Sequence, residues 1–157
     1  MVNKVEFINF CGKMIICIKC KEIKFENEFH KEKQNKNGLS SICKKCKYER
    51  NLNYDRTIKG VINKIWQKQL FNSNKRKHPK PNYTKKELEE WILNQSNFEK
   101  LYNDWVNSGY DKWLKPSVDR LDDTIGYNFN NIQLITWKEN DLKFKNKKYD
   151  KKSKTIS

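Results

Sequence analysis

An α+β fold is predicted by three features of the sequence. Two paired-cysteine knuckles stand near its start, its middle third has helical periodicity, and a strand–loop–strand–helix pattern lies near its end. These features divide the chain into a cysteine ribbon at 10–50, a helical linker and scaffold at 51–112, a ββα module at 113–149 and a basic disordered tail at 150–157. Of 157 residues, 36% are apolar and 34% charged, too thin a supply for one large core. An aromatic content of 13% argues against disorder, and a chain of this kind gains from a metal staple.

The knuckles are Cys17-Ile-Lys-Cys20 and Cys43-Lys-Lys-Cys46, with 22 residues between them. Each places two thiolates on one ion, and together they complete a closed tetrahedral Zn²⁺ site. With no coordination position left open, such a zinc is structural. The fifth cysteine, Cys11, is read as a free, partly buried thiol. Two disulfides are disfavoured because the chain shows no secretion signal. Its moderately apolar start, Val2 to Ile18, is broken by Lys4, Glu6 and Lys13 and lacks a small-residue cleavage site. No stretch approaches the ~18 apolar residues of a membrane span, so a cytoplasmic, reducing setting is expected.

Helical order is predicted next. Arg56 to Phe71 carries Val61, Ile62, Ile65, Trp66, Gln69 and Leu70 as a stripe of 3.6-residue period. Asn72 to Asn82 reads as a polar, basic linker, kept from helix by Pro79 and Pro81. Thr84-Lys-Lys-Glu87 and Ser96-Asn-Phe-Glu99 are capping-box signatures for two packing helices, the second stopped near Gly109. Beyond Pro116, Ser117–Asp122 reads as a strand and 123–128 as a loop in which Gly126 supplies positive φ. Ile132–Thr136 is a second strand, and Thr136-Trp-Lys-Glu139 caps a last helix through Phe144. On that helix Trp137, Asn140 and Phe144 share one face, predicted to turn inward toward the hairpin.

The formal charge of +15 points to a polyanion. The chain has no Ala and only four Arg, a bias that AT-rich coding produces, so the placement of charge says more than its total. Residues 60–83 hold six basic and no acidic residues, and 143–157 hold seven basic and one acidic. The segments 84–112 and 113–142 are each net negative by two. Lys75, Arg76, Lys77, Lys143, Lys145 and Lys147 are therefore the candidate nucleic-acid contacts, framing an acidic centre suited to a divalent cation.

The stretch Lys115-Pro-Ser-Val-Asp-Arg-Leu-Asp…Gly126-Tyr…Asn131-Ile-Gln-Leu-Ile-Thr-Trp-Lys-Glu-Asn140 resembles the ββα-metal finger of HNH (His-Me finger) endonucleases in the variant common in phage genomes. The ribbon, with Phe25, Phe29 and Lys36-Asn-Gly-Leu39 between its knuckles, looks like the zinc ribbon ahead of many phage HNH nucleases. It is also similar to the zinc-bearing part of phage Holliday-junction resolvases. The resemblance covers about half of the chain and leaves the middle helices unexplained.

It implies that Asp119 and Asn140 hold a catalytic Mg²⁺ or Mn²⁺, and that Asn131 braces the loop. Arg120 stands where the family has its general-base His. A guanidinium is no base, but it could clamp the scissile phosphate or the transition state. The base would then be hydroxide generated at the metal, Tyr127, His30 or His78. The function so implied is metal-dependent cleavage of DNA, most simply double-stranded. The alternatives are a degenerate HNH scaffold that binds DNA or a host protein without cutting, and an RNA-binding ribbon protein.

Overall fold

A computed structural model describes residues 12–153, with side chains through residue 146. Cys11, the side chain of Lys147 and residues 154–157 of the basic tail lie outside the described residues. Among the described residues are five α-helices and three two-stranded antiparallel sheets, a mixed α/β architecture. None of these helices is long and apolar enough to cross a membrane. Two compact units meet between Asn53 and Tyr54.

In the first unit, strand β1 (Met14–Ile16) pairs with β2 (Ile23–Phe25), and β3 (Phe29–Lys31) pairs with β4 (Leu39–Cys43). Helix α1 (Lys44–Arg56) starts directly after β4 and carries the second knuckle into its first turn. The buried cluster is Cys17, Phe29, Cys43 and Cys46, with Ile15, Leu39 and Ile42 against it. Among the described residues this core is small, which suits a unit held by a staple. Nothing in the sequence announced α1, because it has no apolar stripe and buries Cys46 alone.

In the second unit, helix α2 (Ile58–Arg76) is capped by Thr57, whose hydroxyl accepts from the Gly60 amide at 3.0 Å. Gly60 is required here, since a Cβ would stand 1.9 Å from the Tyr54 carbonyl oxygen. The helix runs a full turn beyond its predicted end. Gln69 and Ser73 are buried on its inner face, and Lys77 closes it in the left-handed conformation at φ 58°. Lys75 and Arg76 thus belong to a helix rather than to a linker.

Helix α3 (Lys85–Leu93) opens with the predicted box: the Glu87 carboxylate accepts from the Thr84 amide at 2.6 Å, and the Thr84 hydroxyl accepts from the Glu87 amide at 3.3 Å. Helix α4 (Phe98–Asn107) departs from expectation. Its N-cap is Asn97 rather than Ser96, and the Asn97 amide donates to the Leu134 carbonyl at 3.0 Å instead of capping.

Strands β5 (Pro116–Arg120) and β6 (Ile132–Thr136) pair with Val118 opposite Leu134, Asp119 opposite Gln133 and Arg120 opposite Ile132. The Thr136–Glu139 box then starts α5 (Trp137–Ser153), which continues past Phe144 through the first residues assigned to the tail. Val61, Ile62 and Ile65 of α2, Leu88 and Ile92 of α3, and Phe98 and Trp105 of α4 share one core with Val118, Ile132 and Leu134. Burying each such aliphatic side chain is worth about 1.5–3 kcal/mol, so the helices and the hairpin stand or fall together.

Two further corrections concern the loop and the last helix. Gly126 is not at positive φ, and a Cβ built there would meet the Pro79 ring at 3.5 Å, an ordinary van der Waals contact. Phe144 is 64% exposed, so the inward stripe of α5 does not reach it.

Candidate functional site

The first unit gathers four thiols at one point. Both knuckles turn their sulfurs inward, and Lys21, at φ 62°, reverses the chain after the first, its amide donating to the Cys17 carbonyl at 2.8 Å. The Sγ atoms of Cys17, Cys20, Cys43 and Cys46 all lie within 4.8 Å of one another, and none is in a disulfide. Thiolates on a tetrahedral zinc with Zn–S near 2.3 Å stand roughly 3.8 Å apart, so small side-chain rotations close the site.

The electrostatics suit a cation. Burial alone would push the Cys17 thiol up, but the amides of Cys20, Cys43 and Lys19 outweigh it and hold the thiol at about 6. Cys46 is pushed up to about 12 by burial and by its neighbouring thiols. Four sulfurs so close cannot all ionise without a positive ion among them. The cluster could hold a metal ion, and its four-sulfur donor set is compatible with structural zinc.

The second unit holds a cleft of about 580 Å³ between α2 and the ββα segment. One wall is α2, presenting Lys64, Lys68, Asn72, Lys75 and Arg76 along a single face. The floor is β5 with Ser117, Asp119 and Arg120, and the far side is Asn140, Asp141 and Phe144 of α5. Lys115 also faces the cleft, and its burial holds the ammonium below the ordinary lysine range. Lys64, Lys68 and Lys115 escaped the sequence reading, although the spacing of Lys64, Lys68 and Lys75 by four and seven residues is a helical signal.

Asn131, 3% exposed, holds the loop between the strands. Its Nδ2 donates to the carbonyls of Asp122 and Gly126 at 2.9 and 3.0 Å, and its Oδ1 accepts from the Asp122 amide at 2.8 Å. The Asp122 carboxylate accepts from the amide and hydroxyl of Thr124, shaping the same loop from outside.

Arg120, also 3% exposed, lies across this loop from the inside. Its Nη1 donates to the Ile125 and Asp123 carbonyls at 2.7 and 3.1 Å, and its Nη2 meets the Asp123 carboxylate at 3.3 Å. Both Nη1 hydrogens are used within the protein. The guanidinium also lies 5.2 Å from the Tyr127 ring centre, and Nη1 comes within 3.5 Å of the Nδ1 of His78. His78 therefore stands beside Arg120, although 42 residues separate the two in sequence.

Asp119 and Asn140 both line the cleft. Asn140 donates from Nδ2 to the Ser117 hydroxyl at 3.0 Å, which fixes its side chain on the hairpin. Asp119 accepts from Gln133 at 3.3 Å and from the Lys143 ammonium at 2.6 Å. Of the remaining basic candidates, Lys145 pairs with Asp141 at 2.7 Å, and Lys77 is exposed at the end of α2 without lining the cleft.

No known protein family, curated protein or solved structure matches the chain.

Proposed function

We propose that the protein is a metal-dependent DNA endonuclease of the HNH type, and that the cleft of the second unit is its active site. One observation carries this: the carboxylate of Asp119 and the amide of Asn140 share a cleft with Lys64, Lys68, Lys75 and Arg76. Acidic and amide oxygens suit a hard divalent cation, and a row of cations on the opposing helix suits the phosphates of a nucleic-acid strand.

Asp119 and Asn140 would hold Mg²⁺ or Mn²⁺, with Asn140 steadied by Ser117. When bound, such an ion stabilises charge on the phosphoryl and leaving oxygens during attack by water. Asn131 and Arg120 keep the loop shaped around that position, so Arg120 is assigned a positioning role rather than that of a phosphate clamp. The four thiolates of the first unit serve a structural Zn²⁺.

The direct test is incubation of zinc-loaded protein with supercoiled plasmid, with and without Mg²⁺ or Mn²⁺. Nicked or linear product that needs the divalent ion, and that vanishes in Asp119→Ala, is the expected result. Tight binding with no cleavage of duplex, branched or single-stranded DNA would overturn it. In that event a second reading, a DNA-binding protein on a non-cleaving HNH scaffold, takes its place. That reading is favoured by the ammonium already seated on Asp119 and by a guanidinium committed to the loop.

A further inference from the structure

The Lys143 ammonium sits in a cage of oxygens. It donates to Asp119 Oδ2 at 2.6 Å, to the Arg120 carbonyl and, at 3.3 Å, to the Leu121 carbonyl. One carboxylate and two main-chain oxygens at the end of β5 make a donor set for a hard cation, and here a side chain of the protein supplies that cation. The pair is largely withdrawn from water, with side-chain exposures of 27% for Lys143 and 12% for Asp119. Gln133 donates to the same Oδ2 at 3.3 Å, so this oxygen carries two hydrogen bonds. The neighbouring Asp141 is engaged with Lys145 and leaves Lys143 to Asp119.

Resting on the proposed role of Asp119 as a metal ligand, we infer that Lys143 is a built-in competitor for the divalent cation: its ammonium and the metal take the Asp119 carboxylate in turn. A divalent ion at Asp119 must displace a positive charge lying within hydrogen-bond distance of the same oxygen, and the two cannot share it without strong repulsion. Metal affinity is therefore set by the ease with which Lys143 leaves. Through the Arg120 carbonyl, Lys143 also ties the end of β5 to α5.

The test is binding of Mn²⁺ to the full-length, zinc-loaded protein, followed by the loss of the aqueous Mn²⁺ electron paramagnetic resonance signal. Lys143→Gln should bind Mn²⁺ on the order of tenfold more tightly than the parent. Adding Asp119→Asn to Lys143→Gln should remove the gain, and Lys143→Arg, which keeps the charge, should bind no better than the parent. Equal affinity in the parent and in Lys143→Gln, whether both bind or neither does, would overturn the inference. As a check that needs no folded variant, modification of Lys143 in the parent by an amine reagent should accelerate as Mn²⁺ is raised. Labelling indifferent to Mn²⁺ counts equally against competition. Since none of these readouts is cleavage, tighter Mn²⁺ binding by Lys143→Gln without plasmid nicking would sustain the competition and remove the nuclease reading.

Discussion

Asn131 and Asp122 exchange two hydrogen bonds across the loop of the second unit. The Asp122 amide donates to Asn131 Oδ1 at 2.8 Å, and Asn131 Nδ2 donates back to the Asp122 carbonyl at 2.9 Å. A side-chain amide here imitates a backbone pairing partner and extends the β5–β6 hairpin by one rung, with its second Nδ2 hydrogen left for Gly126. Among side chains only the planar amides of Asn and Gln offer both an acceptor and two donors, and Asn does so on the shorter stem.

Replacing Asn131 should therefore destabilise the second unit. Asn131→Ala strands a buried amide and two carbonyls, which costs about 2–3 kcal/mol and lowers the melting temperature by roughly 10 °C. Asn131→Asp should be no better, because a carboxylate would face two carbonyl oxygens with no hydrogen to offer. Thermal unfolding followed by circular dichroism measures both. A melting temperature for Asn131→Ala within a degree or two of the parent would show that the loop holds without this brace.

Zinc should be bound at one ion per chain. Cys17→Ser or Cys46→Ser should lose the metal and unfold the first unit, whose buried cluster consists largely of the ligands themselves. Cys11→Ser should leave the zinc content unchanged, because the four-sulfur set is already complete. Elemental analysis of each purified variant decides the matter, and a parent protein free of zinc would remove the site altogether. Strong chelators should strip the metal with loss of protection in residues 12–53 during hydrogen exchange.

DNA affinity should depend steeply on salt, with the dependence lodged in one helix face. Each side chain that neutralises a phosphate adds about 0.9 to the slope of log K against log salt, so the quadruple alanine variant of Lys64, Lys68, Lys75 and Arg76 should lower it by about 3–4. Lys77→Ala should change little, because Lys77 is outside the cleft. Filter binding or fluorescence anisotropy at several salt concentrations tests this. A quadruple variant with the parent's slope would place the nucleic acid elsewhere.

What could be read in advance was local. The knuckles are legible because two ligands three residues apart geometrically share one ion. The boxes at Thr84 and Thr136 are legible because their partners lie three residues away. Ser96 had the same signature and failed, since the neighbouring Asn97 occupies the cap position and spends its side chain on Leu134. The interactions that shape the cleft join distant residues, as with His78 and Arg120, or Lys143 and Asp119. No periodicity encodes them. Even the reach of α2 to Arg76 was hidden, because its last turn is anchored by buried polar residues, Gln69 and Ser73, instead of an apolar stripe.

Arg120 distinguishes bracing from transition-state stabilisation most sharply. A clamp on the scissile phosphate would contribute on the order of 100-fold to the rate, and its loss would leave stability nearly intact. The observed guanidinium instead spans two loop carbonyls and a carboxylate from a buried position. Removing it leaves the Asp123 and Ile125 carbonyls short of donors, at about 1–3 kcal/mol for each that stays buried. The half-exposed pair with Asp123 adds little to that. Arg120→Ala should accordingly lower the melting temperature by roughly ten degrees or more, with plasmid nicking reduced in proportion to the folded fraction. Arg120→Lys should rescue only part of the stability, because one ammonium on a flexible stem cannot hold the two carbonyls and the carboxylate in the same plane. Measuring kcat and KM well below the melting temperature separates the roles. Unchanged stability with a hundredfold fall in kcat would assign Arg120 to the phosphate, whereas a large thermal shift with kcat preserved per folded molecule assigns it to the loop.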